Sequence, residues 1–222
     1  MSSEKIRGII IRENFSGESD KFLTIFAKDI GKISVFARGA RNTKSKFLAS
    51  SSLFTYADFI IRTATKTPTL ISADVIESFY NLRSDLSSAS FASYFAEFID
   101  KSIIDNVADN NALLLLLKSL QKLSHNTSDT RYIGCVFQLR LLDILGYRPD
   151  IEELKQYPLS EISVSAIEYI LSQNINTAFS VILDKNYITE IEFFLEKYIA
   201  YHIDIKFNSY KIIKNLLLTN QN

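Results

Sequence analysis

The chain has 222 residues, with 25 Lys/Arg against 25 Asp/Glu, 47% hydrophobic residues and one cysteine. That composition suits one large globular domain or two modest ones, and it excludes an intrachain disulfide framework and a long disordered tail. The longest apolar run beyond the N-terminal segment, ALLLLL, is far short of the roughly 20 residues of a membrane span. MSSEKIRGIIIRENF carries charge on both sides of a short apolar run, unlike a secretory signal. The expected setting is the reducing cytoplasm.

The first eighty residues read as strands. IRGIIIRE is short, β-branched and bounded by polar residues. DKFLTIFAKDIGKISVFARG reads as two strands joined at Asp29–Ile30–Gly31, with glycine at the permissive turn position. SLFTYADFIIRT and TLISADVIES form another pair, joined through Lys66, Thr67 and Pro68. Five short antiparallel strands suit a small barrel, which leaves few exposed edges.

Beyond about residue 80 the hydrophobic period lengthens to that of a helix. Phe91, Tyr94, Phe95, Phe98 and Ile99 make one apolar stripe. Ala112 to Leu123 predicts a helix. Ile133, Phe137, Leu141, Ile144 and Leu145 make a second stripe, stopped at Gly146, and within it Cys135 reads as a buried, inert thiol. Val164 to Leu171 predicts a further helix. Ile191, Phe194, Leu195, Tyr198 and Ile199 make a third stripe, with Thr189 as its expected N-cap. Strands followed by helices predict an α+β chain, with a barrel domain over 1–80 and a helical domain over 81–222.

Overall neutrality hides a division. Residues 1–80 hold 12 Lys/Arg against 8 Asp/Glu, a net +4, and residues 81–222 are −4. The charge peaks in KISVFARGARNTKSKF. Strand alternation turns Ile33, Val35 and Ala37 to one face and Lys32, Ser34, Phe36 and Arg38 to the other. The first set suits a core; the second places an aromatic ring between two cations. The polar loop beyond adds Arg41, Lys44 and Lys46. Cations neutralise phosphates and aromatic rings stack bases, so Lys32, Phe36, Arg38, Arg41, Lys44 and Lys46 are candidate DNA-binding residues. A basic surface loop with a ring buried at a barrel end explains the same pattern, and the near-neutral composition favours that reading.

Catalytic signals are weak. There is no phosphate-binding GxxxxGK[ST] loop. Glu18 and Asp20 sit in a Gly/Ser-rich turn with no histidine or ligand cluster nearby, and His202 reads as a partly buried helix residue.

GIIIRENFSGESDKFLTIFAKDIGKISVFARGARNTKSKF resembles the N-terminal region of the bacterial recombination mediator family RecO. Gly8, Glu18, Asp20, Leu23, Thr24, Phe26, Gly31, Lys32, Ala37, Gly39, Ala40, Arg41 and Ser45 stand where that family's pattern places them. VIESFYNLRSDL, ASYFAEFID, FQLRLLDILGYRPDI and KYIAYHIDIKFNS extend the resemblance in order along nearly the whole chain. It implies an N-terminal OB-fold barrel, a helical C-terminal domain and no enzymatic activity. It implies binding of single- and double-stranded DNA at the nucleoid, strand annealing, and loading of the recombinase. RecR and the C-terminal tail of the single-stranded DNA-binding protein are the implied partners. Arg131, Tyr132 and Arg140, on an apolar helix, are candidates to capture that acidic, hydrophobic tail; solvated-face residues are the plainer reading. Many members carry four cysteines after the leucine-glycine-tyrosine element. Here GYRPDIEELKQYPLSEISVSAIEYI has none, so no zinc or other cofactor is expected and the zinc module is absent. The competing class is a protein-interaction adaptor whose barrel binds a protein and whose charge is incidental.

Overall fold

The computed structural model describes residues 2–64, 66–125 and 128–219. Five strands come first: β1 (Ser3–Ser16), β2 (Asp20–Ala27), β3 (Gly31–Ala37), β4 (Tyr56–Arg62) and β5 (Thr69–Glu77). They close into a barrel in the order β1-β2-β3-β5-β4, with β4 returning to β1. Closure between β3 and β5 is a parallel bridge from Phe36 to Thr69; the other pairings are antiparallel. This is the five-stranded OB-fold arrangement expected from the sequence. β1 serves both halves of the barrel. It pairs with β4 through Ser3–Ile9 and with β2 through Gly8–Ser16, and a bulge at Ile10/Arg12 bends it between them.

Period-two alternation fills the barrel. Ile10, Leu23, Ile25, Val35, Ala37, Phe59, Ile61 and Leu70 form its core, and Ile33 packs against them half-buried. Each large apolar side chain removed from water stabilises the fold by about 1.5–3 kcal/mol.

The chain forms two compact units. One comprises Met1–Tyr80 with Ala96–Leu113, the other Asn81–Phe95 with Leu114–Asn222. The first therefore contains the second half of α1 (Leu86–Ser102) and the start of α2 (Asn110–His125). Residues 100–110 run along the outside of the β2–β3 turn. Asn106 N–H donates to Lys32 O, and Asp29 and Asn110 bond each other twice. The approach is close enough that Gly31, at φ 91°, has no room for a side chain: a Cβ there lies 2.3 Å from the Val107 carbonyl oxygen.

In the second unit α3 (Thr130–Ile144) is buried on nearly every side from Tyr132 to Leu142. A helix apolar all round belongs in a core. α5 (Glu161–Ser172) and α7 (Lys185–His202) pack on it and on each other. Single-turn helices α4 (Ile151–Leu154) and α6 (Ile175–Ala178) and a final α8 (Asn208–Thr219) complete the unit. Gly146 takes φ 84° just beyond α3, where a left-handed residue ends a helix. Thr189 is not the N-cap of α7. The helix begins a turn earlier with Asp184 at the cap position, and the Thr189 hydroxyl donates back to Lys185 O.

Candidate nucleic-acid interface

The hairpin register sets the site. Ala27 pairs with Gly31 across the turn, so Phe22 stands directly opposite Phe36. On the other side of β2, Asn14 pairs with Phe22. The row Asn14–Phe22–Phe36 crosses the outer face of three strands, away from the core set. The two phenyl rings lie 5.1 Å apart, tilted by 50°. Phe22 is 36% exposed and Phe36 is half-buried. Phe36 N–H donates to Pro68 O, which brings the end of the β4–β5 connection against β3; Lys66, in that connection, is exposed.

Residues 38–55 leave this row as a string of hydrogen-bonded turns rather than an open loop. Arg38, the first residue beyond β3, is exposed, as is Lys44; neither side chain makes a hydrogen bond or ion pair among the described residues. Arg41 is exposed too. Its guanidinium donates to Gly17 O at 3.0 Å and lies 4.3 Å from the centroid of Phe15, itself 67% exposed. Lys46 is exposed, with its ammonium donating to Ile71 O and lying over Phe47. The start of the segment is pinned to the β1–β2 turn. Asp20 Oδ1 accepts the Gly39 N–H at 2.6 Å, and Arg41 N–H donates to Ser19 O.

Lys32 departs from the expectation. Alternation turns it outward, but residues 100–105 cover that end of the face, leaving the side chain 5% exposed. Its ammonium donates to Asp100 O and pairs with Asp105 at 3.0 Å. Ile9 and Phe26, in the same cross-strand row, are fully buried. A cation so enclosed ties residues 100–105 to β3 within the first unit.

The three residues on α3 are likewise committed inside their own unit. Arg131 grips the Glu192 carboxylate with Nε and Nη2, and Nη2 also donates to Thr189. Tyr132 is 2% exposed, its hydroxyl donating to Ala178 O at 2.8 Å. Arg140 donates to Ile170 O and Leu171 O, the carbonyls left open at the end of α5. The Tyr132 hydroxyl and the Arg131 guanidinium are thus engaged within the unit, while Arg140 is held there through Nη1.

Cys135 is fully buried, and desolvation pushes its thiol pKa well up. Among the described residues no group of three or more His, Cys, Asp or Glu is placed to hold a metal ion. A four-ligand zinc site does not fit the residues present. No helix of the described residues is long and apolar enough to cross a membrane.

Phe15, Phe22 and Lys66 were missed in the sequence. Phe22 was within reach of the hairpin signal, because counting back from the turn pairs it with Phe36. Phe15 and Lys66 become visible only once the barrel has closed.

The model of the recombination protein O N-terminal family matches residues 1–79, and that of its C-terminal family matches residues 83–154. The two run in the family's order along the barrel and the first helices. The chain belongs to the recombination protein O family. "DNA repair protein RecO" of Acetivibrio thermocellus is 39% identical over 149 residues, 67% of this chain and 59% of that protein. The protein of the same name from Bacillus pumilus is 33% identical, over 67% of this chain and 58% of its own length. The chain thus matches about three fifths of the length of these RecO relatives. A third RecO protein, from Thermoanaerobacter sp. strain X514, is 27% identical over 96% of this chain and 97% of its own. All three relatives carry the name of a DNA repair protein. With Cys135 as its one cysteine, it is a RecO member without the zinc-binding cysteines.

Proposed function

We propose that this chain is a non-enzymatic recombination mediator. Residues 1–80 form its DNA-binding domain and residues 81–222 its helical domain, and it works in the cytoplasm at the nucleoid. It binds single- and double-stranded DNA, anneals complementary strands and helps load the recombinase onto strands coated by single-stranded DNA-binding protein. Annealing makes and breaks no covalent bond; it needs only binding, neutralised phosphates and release.

The observation that carries this reading is the paired Phe22 and Phe36 rings on the outer face of β2–β3, followed in the chain by Arg38 and Lys44, both exposed and without a partner among the described residues. The β2–β3 face and the β1–β2 and β4–β5 connections are where OB-folds take oligonucleotides. Arg38, Arg41, Lys44 and Lys66 carry the phosphate charge in this proposal. Lys46, tied to Ile71 O, contributes at the edge, and Lys32 drops out because it is enclosed. RecR and the tail of the single-stranded DNA-binding protein remain proposed partners, without the α3 residues as the tail's receptor.

Fluorescence anisotropy with an oligo-dT probe tests it. Phe22→Ala together with Phe36→Ala should weaken binding by about 1–3 kcal/mol for each base unstacked, with little change in salt dependence. Wild-type affinity in the folded double variant would favour the adaptor class instead.

A further inference from the structure

Resting on the DNA-binding reading above, we propose that Asp20 is a positioning residue for DNA: its carboxylate fixes the basic segment in the shape that meets phosphates. An acid at a phosphate site should by charge alone repel DNA. The geometry gives it the opposite effect.

Arg38, Arg41 and Lys44 sit on a connection that runs from residue 38 to residue 55 before β4 begins. Such a segment, left loose, must be ordered each time DNA binds, and that ordering opposes binding. Here its start is held from the first residue of β2. Asp20 Oδ1 accepts the Gly39 N–H at 2.6 Å. Gly39 takes φ 65°, a left-handed conformation glycine adopts without strain. Ser19 O accepts from Arg41 N–H at 2.8 Å, and Gly17 O accepts from the Arg41 guanidinium. The next residue along β2 holds the far end. Lys21, paired with Glu13 at 2.6 Å, reaches Ser51 O at 3.4 Å. Adjacent residues of one strand therefore grip both ends of the basic segment. The link at Asp20 fixes where Arg38 leaves the barrel.

Asp20→Ala and Asp20→Asn separate the two effects. Both remove the negative charge, but the Asn side-chain oxygen still accepts from Gly39. Positioning ranks affinity for a 20-residue oligo-dT as Asn at or above wild type, and Ala about tenfold below it, the loss expected for one charge-assisted hydrogen bond. Charge alone ranks both variants equally and above wild type. A second readout needs no DNA. Native-state trypsin cleavage after Arg41 and Lys44, followed by mass spectrometry, should be faster in Asp20→Ala and near wild type in Asp20→Asn. Should Asp20→Ala lose its melting transition, Gly39→Ala carries the test. It keeps every charge while straining the left-handed turn, and should give the same faster cleavage and weaker binding.

Both variants tight, or a cleavage rate unmoved in the folded Ala variant, overturns the proposal. Failure of the underlying reading looks different. There, replacing Arg38, Arg41 and Lys44 with Ala leaves affinity unchanged, so the segment is not a DNA site and Asp20 positions nothing for DNA.

Discussion

Arg131 and Glu192 face each other with both side chains less than a fifth exposed. The hydrogen bond to Glu192 is the main cause that raises the arginine's pKa. Truncating one member of such a pair strands the other, so Arg131→Ala should lower unfolding free energy by about 2–3 kcal/mol. Urea denaturation checks this; a stability within error of wild type would return Arg131 to the list of free surface cations. Cys135 offers a second test at this scale. Buried, with its thiol held protonated, it should react with a thiol reagent only at the rate of unfolding, and at once in denaturant. Prompt labelling of the native protein would contradict its burial. At this scale the sequence is ambiguous for a physical reason. Arg131, Arg140 and Lys32 read as exposed cations, because nothing local announces that Glu192, the end of α5 or Asp105 will fold against them.

The β2–β3 hairpin was legible because its period-two pattern and turn glycine agree, and that agreement also fixes the register opposing Phe22 to Phe36. The start of α7 was not. Asp184 makes no side-chain cap bond, while Thr189 has the chemistry of a cap but sits a turn inside. β1 and β4 meet at a charged pair whose behaviour can be predicted. Arg7 donates twice to Asp58 and Lys5 lies 2.9 Å from it, so the hydrogen bond from Arg7, then that from Lys5, holds the Asp58 carboxyl well below the usual carboxylate range. Unfolded, Asp58 takes up its proton near the ordinary value of about 3.9. Its stabilisation is therefore complete above that pH and is lost as pH falls toward the folded value. Asp58→Asn should melt lower at neutral pH, and the gap to wild type should narrow steadily below about pH 4. A gap that stays constant down to pH 2 would show that the pair does not couple to protonation.

For the whole molecule, the change of hydrophobic period near residue 80 separated barrel from helices correctly in kind. That residues 96–113 pack with the barrel is not marked in the pattern, because their helical period resembles that of their neighbours and only tertiary packing assigns them. That same segment encloses Lys32, while Phe36, two rows further along the strand, stays half-exposed. The absence of a fitting metal cluster among the described residues and the single cysteine lead to one global expectation. A chelator should leave the melting temperature unchanged, and elemental analysis should find no stoichiometric zinc; one tightly held zinc per chain would overturn it.

The central claim is that the exposed cations after β3 neutralise DNA phosphates. The most direct measurement is the salt dependence of oligo-dT affinity for wild type and for the variant with Arg38, Arg41 and Lys44 all changed to Ala. Each phosphate neutralised on a single strand contributes a slope of about −0.7 in log affinity against log salt, so the variant should bind more weakly and its slope should be shallower by roughly 2. A folded variant with the wild-type affinity and the wild-type slope would contradict the account.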